Sequence, residues 1–463
     1  MKHRFAIAAL LVCACGPGGD NNGPGTNNGP ANNGPANNGT TPPKWSTAVV
    51  DSNNVGMHTR LAISGSTLGV AYYSASGTPD GLCEVASDNK PERVIWGLWY
   101  AENGGGSWAV EKVSDLLHVG PPVGIDLLMD DATPRLAAMT GEPLLAAIPF
   151  YCGVNDAGLW TRTAPGAWSD ESVVASSSEA STGFAPSDFG EVVGYWSSVA
   201  KSSSGQYALA YKDVHAGSIQ SDDMRRADLE LALGTPGSWE NIPVHYGEGA
   251  GDFIRVAFDA QDRIYIAYFR PTESRTDPAI GIWLTRSADA GATWEEVQLF
   301  NSGTSEGPDL VFDPATGAPM VLFYNSTRGF PQLAELTDDA QFTSVSEGWT
   351  FSDAGDSSYD EGYRTSLAVS PNGTVAAAYY RCTKASGTFG VCNATDDALV
   401  FAYRDRGTWV HEVVDPGGDG LCGFYASLVF DASGIAHVAY QCEDVASGLI
   451  QNQVRVATRA TAL

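Results

Sequence analysis

Two ladders of aromatic residues run through this chain at a common spacing, and they leave few folds open to it. Tryptophans, mostly after Gly or another small residue, fall at Trp45, Trp108, Trp168, Trp239, Trp294, Trp349 and Trp409, with gaps of 63, 60, 71, 55, 55 and 60 residues. Between them recur short apolar runs ending in Tyr: "GVAYY", "ALAYK", "YIAYF", "VLFYN", "AAAYY" and "HVAYQ". These place Tyr72, Tyr211, Tyr268, Tyr324, Tyr379 and Tyr440 equivalently, and Met139 of "RLAAM" takes the position in the remaining unit. The ladders mark seven units. Residues 252–300 show what one contains. "FIRVAFD", "RIYIAYF", "IGIWLTRS" and "TWEEVQLF" are four short β-branched and aromatic runs bounded by Gly, Pro, Asp and Asn. A four-stranded unit repeated at this period predicts an all-β fold, a seven-bladed β-propeller of four-stranded antiparallel blades. The last unit supplies only three such runs, while "KWSTAVVD" at residues 44–51 precedes the first. Those residues are expected to complete the last blade and so remove an open edge.

The segment before Trp45 reads differently. "MKHRFAIAALLVCACG" has basic residues and then an apolar run too short to span a bilayer, the form of a secretory signal. "LVCAC" resembles a bacterial lipobox. That resemblance implies removal of residues 1–14, lipidation of Cys15 and, with Gly16 following, sorting to the outer membrane or cell surface. Residues 15–43, with their "NNGPA" repeats, hold no apolar side chain larger than Ala after Cys15 and cannot bury a core. They are expected to be a disordered tether, leaving 44–463 as the propeller domain. The formal charge of −28 excludes nucleic acid as a natural partner. It leaves the membrane approached only through the lipid anchor. A monomer is expected.

The stretch "SADAGATWEEV" carries Ser287, Asp289, Gly291, Thr293 and Trp294 in the order S-x-D-x-G-x-T-W. It resembles the Asp-box of sialidase-like (bacterial neuraminidase repeat) propellers. The resemblance implies a hairpin turn between the third and fourth strands of a blade, on the face away from the ligand. Asp289 then holds a turn instead of serving as a catalytic acid.

Six cysteines follow Cys15, an even number in a chain with an export signal. With "DASG" as the turn of the last blade's first hairpin, Cys422 and Cys442 face each other. Cys382 and Cys392 bracket one loop, which leaves Cys83 with Cys152. No CxxC metal motif, P-loop, Rossmann fingerprint or nucleophile elbow is present, so no cofactor is expected. Ca²⁺ is the one ion the composition favours, at acidic crossings such as "DSNNVG", "DAGDSSYDEG" and "DPGGDG".

The loops between second and third strands are long, and the three disulfides would staple that face. Just inside it the innermost strands begin, with His58, Arg60, Trp196, Phe253, Arg255, Arg364 and Tyr425. Second-strand ends add Arg270, Tyr380 and Arg381. Arg60, Arg255 and Arg364 resemble the carboxylate-clamping Arg triad of sialidases, a task suited to a planar guanidinium fork. The "F-R-I-P" stretch of that family is absent, and its propellers have six blades. Tyr379 or Tyr380 with Asp360 or Glu361 are the candidates for a nucleophile pair. The reading is a surface lipoprotein that binds an extracellular glycan or protein partner through this face. The alternatives are a sialidase-like or lyase-like enzyme and an envelope assembly scaffold. Lipidation has a direct test. Cys15→Ser should release the protein into the soluble fraction or block its maturation. A mutant that still fractionates with membranes at the normal processed mass is incompatible with it.

Overall fold

The computed structural model describes residues 44–79, 93–119, 123–142, 154–174, 192–214, 227–245, 249–271, 277–301, 307–384, 397–417, 420–444 and 451–463. The expected signal segment, Cys15, the expected tether, and Cys83, Cys152 and Cys392 lie outside them, as do most loops of the expected binding face.

Seven antiparallel blades follow one another. Blade 1 comprises Val55–Ser64, Thr67–Ser74, Arg93–Asn103 and Ala109–Val119. Blade 2 comprises Asp126–Asp130, Thr133–Glu142, Val154–Ala164 and Ala167–Val174. Blade 3 is Val192–Lys201, Tyr207–Val214, Ala227–Thr235 and Ser238–His245. Blade 4 is Asp252–Phe258, Ile264–Arg270, Gly281–Ser287 and Glu295–Phe300. Blade 5 is Asp309–Phe312, Pro319–Asn325, Phe330–Leu336 and Trp349–Asp353. Blade 6 is Tyr359–Val369, Val375–Lys384, Ala398–Asp405 and Thr408–Asp415. Blade 7 takes Cys422–Phe430, Ala436–Asp444 and Gln451–Arg459, and its fourth strand is Trp45–Asp51. The closing strand pairs in register from Trp45 opposite Arg459 to Ala48 opposite Val456.

The burial pattern follows from this stacking. The second strands of blades 4 and 5 are buried at every residue, because both of their faces meet a neighbouring blade. Fourth strands such as Ser238–His245 are exposed or half-buried at all but one residue. The apolar core is therefore not one cluster but seven layers, one between each pair of adjacent blades.

Both ladders have structural work in these layers. Trp168 donates its ring N–H to Glu111 of blade 1 at 2.9 Å, Trp239 to Glu171 of blade 2 at 2.8 Å, and Trp45 to Glu412 of blade 6 at 2.9 Å. Each reaches the outer strand of the preceding blade. The ladder tyrosines each donate a hydroxyl to a carboxylate: Tyr72 to Asp51, Tyr211 to Glu230, Tyr268 to Glu296, Tyr324 to Asp360, Tyr379 to Glu361 and Tyr440 to Asp415. A buried phenol needs an acceptor, and the repeat supplies one at every occurrence.

Cys422 and Cys442 are paired across the first hairpin of blade 7 and are disulfide-bonded. Cys382, buried in the second strand of blade 6, is also disulfide-bonded. The turn after Gly281–Ser287 is held by Asp289, which accepts Thr293 N–H at 2.8 Å and Thr293 Oγ1 at 2.6 Å, while Gly291 adopts φ +88°.

Removing residues 44–51 strips Trp45 and Val50 from their layers and opens an edge. Losing two such buried side chains should lower the melting midpoint by roughly 10 °C or more. Val49→Ala, on the exposed face of the same strand, should shift it by no more than about 2 °C. Equal midpoints for the two variants would contradict closure by this strand.

Candidate functional site

The innermost strands begin with an unusual backbone. In five blades a Gly is followed two residues later by a large side chain in the left-handed region: His58 (φ 54°), Trp196 (56°), Phe253 (55°), Arg364 (55°) and Tyr425 (53°). Each falls at a β-bulge, where pairing with the second strand skips from Met57 to Arg60, Tyr195 to Ser198, Asp252 to Arg255, Tyr363 to Ser366 and Phe424 to Ser427. Bulky residues rarely adopt this conformation, and a bulge re-aims a side chain that a regular strand would direct at its neighbour blade. Here the re-aimed side chains meet on the propeller axis.

Two blades depart from the pattern. Blades 2 and 5 carry Gly124 and Gly307 there, followed by buried Asp126 and Asp309. Asp126 pairs with Arg60 of blade 1 at 3.7 Å and accepts Val199 N–H of blade 3 at 3.1 Å. Asp309 pairs with Arg255 of blade 4 at 3.4 Å and accepts Leu367 N–H of blade 6 at 2.8 Å. Burial pushes both carboxyls upward, opposed in each case by the Arg60 charge.

Together these groups line one funnel. His58, Thr59, Arg60, Gly124, Ile125, Trp196, Phe253, Arg255, Gly307, Arg364, Thr365, Tyr425 and Ala426 enclose a space of about 50 Å³. All seven blades contribute, so the funnel sits at the mouth of the central channel. With ~10–15 Å³ needed per water, it admits a few waters or one small polar group, not a whole sugar ring. Arg364 reaches across it from blade 6. Its guanidinium lies 4.9 Å from the Phe253 ring centre, 5.1 Å from Tyr425 and 5.9 Å from Trp196. His58 packs at 4.7 Å from Tyr425 and 5.3 Å from Trp196. The described lining holds three Arg and a His but no Asp or Glu, in a protein of net charge −28. Such a site favours an anion.

Of the nine residues expected to bind ligand, His58, Arg60, Trp196, Arg255, Arg364 and Tyr425 line the funnel, while Arg270, Tyr380 and Arg381 do not. Arg381 stacks on Tyr359 at 3.6 Å and pairs with Glu361 at 3.0 Å. Tyr380 stacks on Phe424 at 4.2 Å, and Arg270 lies 5.6 Å from the Trp283 ring. Of the candidate nucleophile pairs, Tyr379 donates to Glu361, and Asp360 accepts from Tyr324 and Tyr363. Burial, then the Glu361 charge, hold the Tyr379 phenol far above its usual range, against ionisation. Gly124, Gly307, Thr59 and Thr365 belong to the site although the aromatic ladders do not mark them. A third ladder does: "GMHTR", "GYWSS", "GDFIR", "GYRTS" and "GFYAS", with "GIDLL" and "GPDLV" in the two variant blades.

Carboxylates of the acidic crossings accept hydrogen bonds from neighbouring groups of the protein. Asp51 accepts from Asn53 and Tyr72, Asp356 from Ser358, and Asp415 from Gly417, Tyr440 and Arg455. Among the described residues the one cluster with metal-ligand proximity is Asp415 with Cys422 and Cys442, whose sulfurs are joined to each other.

No protein-family model matches the chain, and no curated protein matches its sequence. Solved structures do resemble its fold. An ulvan lyase, a polysaccharide lyase, aligns at TM-score 0.50 and 11% identity over 88% of this chain and 94% of its own. A protein of unknown function from Dyadobacter fermentans aligns at 0.46 and 12% over 90% and 100%. A NanB sialidase mutant from Streptococcus pneumoniae aligns at 0.43 and 13% over 91% and 71%. At these identities the likeness is one of fold.

The two ion pairs make the three arginines unequal. Arg60→Gln and Arg255→Gln each leave a buried Asp without its cation and should cost on the order of 2 kcal/mol, below a fully buried pair because Arg255 keeps some exposure. Arg364→Gln, at a half-buried side chain that rests on three aromatic rings, should cost less, about 1 kcal/mol. Equal thermal shifts for all three would refute this division.

Proposed function

We propose that the protein binds an acidic extracellular glycan by a carboxylate seated in the funnel at the channel mouth. The observation that carries this reading is the Arg364 guanidinium, framed by Trp196, Phe253 and Tyr425 in a lining without acidic side chains. Three features of a guanidinium suit a carboxylate: fixed charge, a planar fork and weak hydration. The aromatic rings add apolar faces on which the ring C–H groups of a sugar can rest while its acid group enters. Cell-surface display through a lipid on Cys15 would present the site to polymer outside the cell, and the turn at Asp289 would be an Asp-box on the opposite face.

Binding is favoured over hydrolysis by two features. Glycoside hydrolysis uses two carboxyls flanking the bond, and the described lining holds none. The repeated tyrosines spend their hydroxyls on structural carboxylates.

Calorimetry with an oligogalacturonate and its carboxyl-reduced counterpart tests the reading. The acidic form should bind and the reduced form should not. Arg364→Gln should weaken binding tenfold or more with an unchanged circular dichroism spectrum. Normal binding by a folded Arg364→Gln protein would remove the funnel as the site.

A further inference from the structure

Two donors of residues that line the funnel, His58 Nε2 and Arg60 Nη2, have no acceptor among the described residues, while a third, Arg255 Nε, faces the Asp309 carboxylate at 3.4 Å. His58 and Arg60 are only 6% and 8% exposed. The protonation of His58 is set by its surroundings. Gly124 N–H donates to His58 Nδ1 at 3.4 Å, so the ring proton lies on Nε2. Burial, then the charges of Arg364 and Arg60, hold its pKa well below the usual value, which keeps the ring neutral. Arg60 is anchored by Nε, which donates to Ile125 O at 3.3 Å and faces Asp126 at 3.7 Å. That anchoring leaves Nη2 uncommitted. A buried donor without an acceptor bears its desolvation cost unrelieved, and two such donors in the lining of one funnel call for an explanation. The described lining offers no carboxylate to relieve them.

We infer that His58 Nε2–H and Arg60 Nη2 form a donor pair, deeper than Arg364, that takes an oxygen of the bound carboxylate, and that His58 is thereby a specificity-determining residue. The inference deepens the proposed glycan site and rests on it. Gly124 is the positioning residue. A Cβ there would stand 2.3 Å from Trp196 Cα, so only Gly lets the blade 2 backbone pass close enough to present its N–H to His58. Arg364 supplies charge at the mouth, and the inner pair supplies directed hydrogen bonds. A neutral sugar hydroxyl, itself needing an acceptor, satisfies this pair less well than a carboxylate, which only accepts.

The test uses the full-length chain with labelled histidine. Acetate, as a carboxylate small enough for the funnel, should move the His58 Nε2 resonance. In calorimetry with oligogalacturonate, His58→Phe should weaken binding tenfold or more, and His58→Gln, which restores a donor, should recover most of it. Phe is tolerable there, since Phe253 holds the equivalent bulge position at φ 55°, and the melting midpoint checks the fold. A folded His58→Phe protein that binds oligogalacturonate as the wild type does overturns the inference while the proposed function stands. Acetate moving His58 without any oligogalacturonate binding supports the donor pair and removes the glycan reading. A His58 resonance unmoved by acetate overturns the inference.

Discussion

The closed ring depends on one recurring contact between innermost strands. The residue two places after each bulge position reaches the next blade. Ser198 accepts Val256 N–H, Ser366 accepts Leu428 N–H, and Ser427 accepts Leu61 N–H. Asp126 and Asp309 do the same for Val199 and Leu367. At the two remaining junctions the residue is Arg60 or Arg255, which cannot accept and instead pairs with the Asp of the next blade. Every junction between neighbouring blades is thus bridged near the axis, where the strands are most crowded and water is scarce. An inner-strand N–H with no partner in the next blade would otherwise be a buried orphan.

This ring and the funnel share a cause. The bulge that sets the bridging residue against the next blade also turns the residue two places before it into the left-handed region and toward the axis. Five large side chains then fill a space that a flat inner strand would leave as an open channel. Backbone strain of this kind persists only where surrounding structure over-determines it, and here seven bridged junctions do so. The two blades without a large residue at that position keep Gly, and at Gly124 the missing side chain is what admits Trp196.

The electrostatics are divided by the same geometry. A chain of net charge −28 gathers three guanidiniums at its axis. Two of them are held by buried Asp126 and Asp309, and their role is largely to close the ring. Arg364, on the aromatic rings of three other blades, points its charge into the mouth. Arg60 takes part in both tasks, since its Nε end closes the ring while its side chain also lines the funnel.

The number of blades, their four strands and the closure by residues 44–51 were legible in the sequence, because a repeat fixes which residues occupy equivalent places without any knowledge of their partners. The pairing of Cys422 with Cys442 was legible for a similar reason, since a tight turn sets the register of a hairpin. The division of the site residues was not. Arg60, Arg364 and Arg381 look alike in a string, yet Arg364 faces the axis, Arg381 is bound to Glu361 within its own blade, and Arg60 does double duty. Strand alternation assigns a side chain to one of two faces, and the left-handed bulge residues point to neither. Nor could the sequence pair each ladder Tyr with its carboxylate, or Trp45 with Glu412 some 367 residues away. Trp45 and Glu412, like Tyr72 and Asp51, come together only when the ring closes, and even where the carboxylate lies in the same blade, as Glu230 does for Tyr211, Glu296 for Tyr268 and Glu361 for Tyr379, strand alternation does not say which acid the hydroxyl meets.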